Sequence, residues 1–164
     1  MTTDNFSDGD LVVYPAHGVG KLLAIETQHV AGYELKVFVI AFEKNRMTLR
    51  LPMAKAREAG LRALSTRDDI EIAYKTLKKK FSVKKTIWAR RAQEYEMKIS
   101  SGSLTSIAEV LRELYRKEDQ QEQSYSERQI YQSAMQRLAA EVSAVAQCDE
   151  TEVVKTVEEI LQAA

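Results

Sequence analysis

Both prolines and five of the six glycines fall at or before residue 60, and from Ser65 to Ala164 there is no proline and one glycine, Gly102. Proline and glycine are the strongest local punctuation a chain has. A hundred residues almost free of them cannot be cut into short strands and tight turns, whereas the first sixty are cut repeatedly. The chain is therefore expected to be segregated α+β. Residues 1–64 should form a small N-terminal SH3-like or Tudor-like β-barrel, and residues 65–164 an all-α bundle of about five helices.

Within the first part, Gly9-Asp10-Leu11-Val12-Val13-Tyr14-Pro15-Ala16-His17-Gly18-Val19-Gly20-Lys21 reads as strand, tight turn, strand. Proline cannot donate to a ladder and glycine can turn the chain sharply. Tyr33, Leu35, Val37 and Val39 then share one face, with Glu34 and Lys36 on the other; past Phe38 both faces are apolar, as in a strand entering the middle of a sheet. Ala31-Gly32 is the expected turn before that strand and Glu43-Lys44-Asn45 the one after it. In Arg46–Leu51 the alternation turns Met47, Leu49 and Leu51 inward and leaves Arg46, Thr48 and Arg50 outward. Pro52 ends the strand, a short helix follows at about Ala54–Ala59, and Leu61–Leu64 is a last strand or the start of the linker.

Beyond Ser65 the period becomes that of a helix. Thr66 can cap a helix carrying Ile70, Ala73, Tyr74 and Leu77, and a second carries Trp88, Ala92, Tyr95 and Ile99. A third holds Leu104, Ile107, Ala108, Leu111, Leu114 and Tyr115 at i, i+3, i+4, i+7 spacing. After a polar stretch, Gln120–Ser126, Ser126 opens a long helix, and Asp149 or Thr151 caps a final one bearing Val153, Val157 and Leu161.

The formal net charge of zero conceals a strong polarity. Residues 1–65 stand at +1, residues 66–117 at +6 and residues 118–164 at −7. Such a chain can present a basic face to a polyanion while its other end stays acidic. A single cysteine, Cys148, excludes an internal disulfide and a cysteine metal framework, and no window approaches the apolar length of a membrane span. A cytoplasmic protein without cofactors or membrane contact is expected. Catalytic constellations are missing as well: there is no phosphate-cradling glycine loop and no nucleophile elbow, and the two imidazoles, His17 and His29, sit at turns.

The basic window is the stronger signal. Lys75 to Arg91 contains eight basic residues and no acid, interleaved with Phe81 and the sole tryptophan, Trp88. Cations displace counterions from a phosphate backbone, and an aromatic face can stack on or wedge against a base. Such a run is also an ordinary solvated helix face, and Trp88 shares a stripe with Ala92, Tyr95 and Ile99, so a core position competes with an exposed one. Its place in the first turn of its helix, after Lys84-Lys85-Thr86 and one turn before Arg91, favours emergence from the bundle. With neither a polar recognition helix nor a paired-aromatic sheet, readout of backbone and distortion with little sequence specificity is expected. On the β-part, the outward residues are either plain surface or one side of an edge able to pair with a partner strand.

The stretch VVYPAHGVGK, with MTLRLP, Trp88-Ala89-Arg90-Arg91, Ser101-Gly102 and Ala108–Leu114, closely resembles the CarD/CdnL family of bacterial RNA polymerase-binding regulators. The likeness covers nearly the whole chain; the β-part is also similar to the polymerase-binding module of transcription–repair coupling factors, whose helicase is missing here. The resemblance implies a Tudor-like domain that binds the polymerase β subunit by strand pairing. It also implies a helical domain that contacts promoter DNA at the upstream edge of the melted bubble. Trp88 falls on the family's wedge tryptophan, with Lys84, Lys85, Arg90 and Arg91 as its cationic neighbours. Arg50 falls on a polymerase-contacting arginine, beside Arg46 and Thr48, and Gln28 stands where some relatives carry a basic residue. The expected function is a monomeric, non-enzymatic transcription regulator that stabilises the promoter open complex and meets the nucleoid through RNA polymerase. The alternative is an architectural DNA-binding protein that works without the polymerase.

Overall fold

The apolar run Leu11–Tyr14 forms strand β1 and Gly18–Val30 strand β2 of the computed structural model, which describes residues 6–83 and 85–164. Between them the His17 amide donates to the Tyr14 carbonyl at 2.9 Å, and Gly18 takes a φ of 86°, open to glycine at no steric cost. Gly20 is required for a different reason: a Cβ there would stand 2.7 Å from Ile40 Cγ2 and from Phe42 Cε1. The backbone of β2 thus lies directly on the side chains of β3, Tyr33–Phe42. Ala31 and Gly32, with φ of 52° and 82°, make the two-residue left-handed turn that suits a twisted hairpin.

A 3-10 turn at Glu43–Asn45 leads to β4, Met47–Pro52; α1, Met53–Glu58, and β5, Arg62–Ala63, complete this part. The sheet is antiparallel with order β4-β3-β2-β1-β5, so β3 lies inside and β4 at an edge. Leu51 opposes Phe38, Leu49 opposes Ile40 and Met47 opposes Phe42, which sets the apolar side of β4 over the core. That core is Phe6, Val12, Leu22, Phe38, Ile40, Phe42, Leu51, Ala56 and Leu61.

Two expectations are corrected here, and a third, the shared face along β3, holds with a difference in exposure. Arg46 is not a strand residue: it has φ 48° and closes the 3-10 turn, its amide bonded to Glu43, and the strand starts at Met47. Tyr33 and Leu35 do share a face with Val37 and Val39, yet they are 78% and 37% exposed, because the hairpin overshoots the core. The last strand is two residues long and covers Arg62–Ala63 alone.

The chain divides after Leu64, and Ser65–Ala164 holds five helices: α2, Arg67–Lys78; α3, Trp88–Ser100; α4, Leu104–Leu114; α5, Tyr125–Ala146; and α6, Glu150–Ala163. Thr66 accepts from the Asp69 amide while the Asp69 carboxylate accepts from the Thr66 amide, a reciprocal cap. The long helix is capped by Ser124 rather than Ser126, since Glu127 stands three residues beyond Ser124 and returns its bond. Asp149 is the cap position of the last helix.

Helix α4 is the axis of this unit. Leu104, Ile107, Ala108, Val110, Leu111 and Leu114 are all buried, too wide an arc for a one-sided helix, and it packs against α2, α3 and α5. Lys98–Glu109 (2.7 Å) ties α4 to α3, and Arg116, just past the end of α4, pairs with Glu127 of α5 at 2.8 Å. The buried Glu141 carboxylate accepts from the Ser65 amide at 2.8 Å, fixing the entry of the chain into α2.

Candidate functional site

Helix α3 begins without a side-chain cap: Ile87 occupies the cap position with φ −63° and ψ 147°. Trp88 is the first helical residue and is half-buried. Its indole N–H donates to Ser126 Oγ at 3.2 Å, and its ring centre lies 6.2 Å from that of Tyr95, inclined at 50°. The Arg91 guanidinium carbon stands 5.4 Å from the centre of the Trp88 ring and 5.7 Å from that of Tyr95. Arg91 Nη2 donates to Tyr95 Oη at 3.0 Å, and Tyr95 Oη donates onward to Glu113 Oε1 at 3.3 Å. Burial pushes the Tyr95 hydroxyl above the usual tyrosine range, against the pull of Arg91, so it persists as a phenol able to donate. The indole is thus half-buried, packed against the helical core with its N–H held by Ser126 and its ring braced by Tyr95 and Arg91.

Of the cations grouped with Trp88 by sequence, Lys85 and Arg90 are exposed and Arg91 is half-buried in its stack. Lys84 lies outside the described residues. Lys75, Lys78, Lys79 and Lys80 are exposed at the end of α2 and just after it. Phe81, the other aromatic of the basic window, is committed elsewhere: Arg112 Cζ lies 5.3 Å from its ring centre while Arg112 Nη1 donates to the Thr76 carbonyl at 3.3 Å. Sequence spacing did not reveal Ser126 as a partner of Trp88. The two are 38 residues apart and meet only because α3 and α5 pack together.

On the sheet, cross-strand register sets Gln28, Arg50 and Thr48 on one face. Gln28 opposes Leu35, Arg50 opposes Val39 and Thr48 opposes Ala41, and those three alternate along β3. All three are exposed, as is Arg46 before the strand. Arg50 Nε lies 3.6 Å from Glu26 Oε2, with the side chains 58% and 42% exposed, a solvent-screened pair worth little by itself. Strand β4 pairs with β3 on one side, and no strand of the sheet lies on its other side among the described residues. Strand β4 is thus an edge strand of the sheet, with Thr48 and Arg50 together on one of its faces.

The His17 ring stacks on Tyr14 at 5.3 Å and lies 5.6 Å from Phe42, which makes it part of the turn. Among the described residues no three of His, Cys, Asp or Glu converge as a metal site, and no helix is long and apolar enough to cross a membrane.

A small open-edged β-unit followed by a five-helix unit, each with its own exposed polar surface, defines a two-module protein. The chain belongs to the CarD family: the CarD C-terminal domain model matches residues 72–158, and the CarD-like/TRCF RID domain model matches residues 6–65. It is also similar to YdeB of Bacillus subtilis (strain 168), a candidate transcription factor. The two are 28% identical over 144 residues, which cover 85% of this chain and 92% of the relative.

Proposed function

We propose that this protein is a transcription regulator. In this reading it tethers to the RNA polymerase β subunit through the β4 edge and holds promoter DNA open through the face around Trp88. The observation that carries the proposal is the state of Trp88: a half-buried indole, braced by Ser126, Tyr95 and Arg91 at the start of α3, within the 17-residue span Lys75–Arg91 of eight cations without an acid. A braced aromatic loses little freedom on meeting a base, and the cations supply sequence-independent attraction to phosphate. Membership of the CarD family and the likeness to a candidate transcription factor support the same assignment.

The mechanism is differential affinity. A surface that fits melted, distorted DNA better than closed duplex shifts the opening equilibrium by the ratio of the two affinities. Gripping the polymerase raises the local concentration of that surface at the promoter, so weak DNA contacts suffice. The polymerase side uses the edge strand β4 for strand addition, with Arg46, Thr48 and Arg50 on or beside it; Gln28, two strands inward on β2, contributes no charge, so backbone pairing and Arg50 carry more of the contact. Retention of the chain by immobilised purified β subunit, abolished in Arg50→Glu and kept in Trp88→Ala, is the expected result. Failure of the unaltered chain to bind β would turn the assignment to polymerase-independent DNA binding.

A further inference from the structure

Ile87 breaks two local rules at once. It occupies the cap position of α3, where Ser, Thr, Asp or Asn would satisfy an amide and isoleucine cannot. It is also 74% exposed, the most exposed large aliphatic side chain among the described residues. A side chain that neither caps nor packs lowers the stability of the helix it starts. Such violations gather where function needs a side chain. The neighbouring Trp88 is pinned by Ser126 and Arg91, whereas Ile87 projects into solvent, within the cationic span that attracts a polyanion.

We propose that Ile87 is a DNA-inserting residue that enters the first unstacked base step while Trp88 backs it. This rests on the DNA reading above. Branched aliphatic side chains are among those that wedge between base steps from the minor groove, and the stiff χ1 of isoleucine leaves little freedom to lose on insertion. The cations fix the phosphates on either side. The partner is therefore a nucleic-acid junction, where a step is already weakened, rather than uniform duplex.

The test uses the full chain and a forked DNA carrying 2-aminopurine at the junction step, whose fluorescence rises on unstacking. Ile87→Asn and Ile87→Ala should abolish that rise and weaken the preference for fork over duplex about tenfold, and Ile87→Leu should keep both. No charge changes, so the salt dependence of binding should be unaltered. Asparagine is the better cap, so loss in Ile87→Asn cannot be ascribed to an unfolded α3. Ile87 variants that match the original chain while Trp88→Ala loses the fork preference would overturn this proposal and leave the DNA reading standing. If Trp88→Ala and the Ile87 variants all behaved as the original chain, both would fall.

Discussion

The Arg91 guanidinium is shared between two rings, 5.4 Å from the centre of Trp88 and 5.7 Å from that of Tyr95, while its Nη2 bonds to the Tyr95 hydroxyl. One cation thereby fixes the indole and spends its charge on the bundle instead of on solvent. Within a cluster picked out by its cations, Arg91 is first a positioning residue for Trp88. Lysine has no planar fork with which to stack and donate together. Arg91→Lys should destabilise the helical unit by about 0.5–1 kcal/mol. Denaturant titration followed by Trp88 emission measures this, and an unchanged midpoint would contradict the bracing role.

Ser126 supplies the second restraint, accepting from the indole N–H at 3.2 Å. Ser126→Ala should shift the emission of the sole tryptophan to the red and speed its anisotropy decay, at a stability cost of about 0.5–1 kcal/mol. Emission and anisotropy equal to those of the unaltered chain would mean that the bond does not hold the ring in solution.

Gly20 tests the packing of the β-unit independently of any partner. An added methyl group would meet the Ile40 and Phe42 side chains at 2.7 Å, so these core side chains or the backbone of β2 must shift. Gly20→Ala should cost about 1–3 kcal/mol, read as a lower melting temperature of the β-unit. An unshifted transition would show that the ladder relaxes without strain.

Sequence made the division of the chain legible because glycine and proline stop where helix period begins, and residues such as Leu104, Ile107 and Leu111 repeat on a clean stripe. The β4 alternation was equally plain, apart from Arg46, whose left-handed backbone is set by the preceding 3-10 turn and leaves no trace in a period-two pattern. The cap of α5 was ambiguous in the sequence, since Ser124 with Glu127 and Ser126 with Gln129 both fit the S-x-x-E/Q box; the structure uses the first. What the pattern could not carry was tertiary. The cation–ring contact of Arg112 with Phe81 and the bond from Trp88 to Ser126 each join distant segments. The exposure of Tyr33 and Leu35 depends on how far a hairpin outruns its core, which alternation does not encode.

Lys85 and Arg90 are exposed, and under the proposed function each neutralises a phosphate. Replacing either by Gln should lower the magnitude of the log affinity–log salt slope by about 0.9 and weaken binding to all sequences alike. A sequence-dependent loss would indicate base readout.

Arg50 is exposed and its pair with Glu26 is screened. Arg50→Glu should therefore leave the melting temperature nearly unchanged, within about 1 kcal/mol, while removing capture by the β subunit. Loss of fold together with capture would make the arginine structural.

The lifetime of the promoter open complex, measured after addition of a competitor, tests the central proposal most directly. The unaltered chain should lengthen it. Trp88→Ala should return it toward the polymerase-alone value while still binding β, and Arg50→Glu should return it through loss of recruitment. A lifetime extended equally by the unaltered chain and by Trp88→Ala would contradict the account.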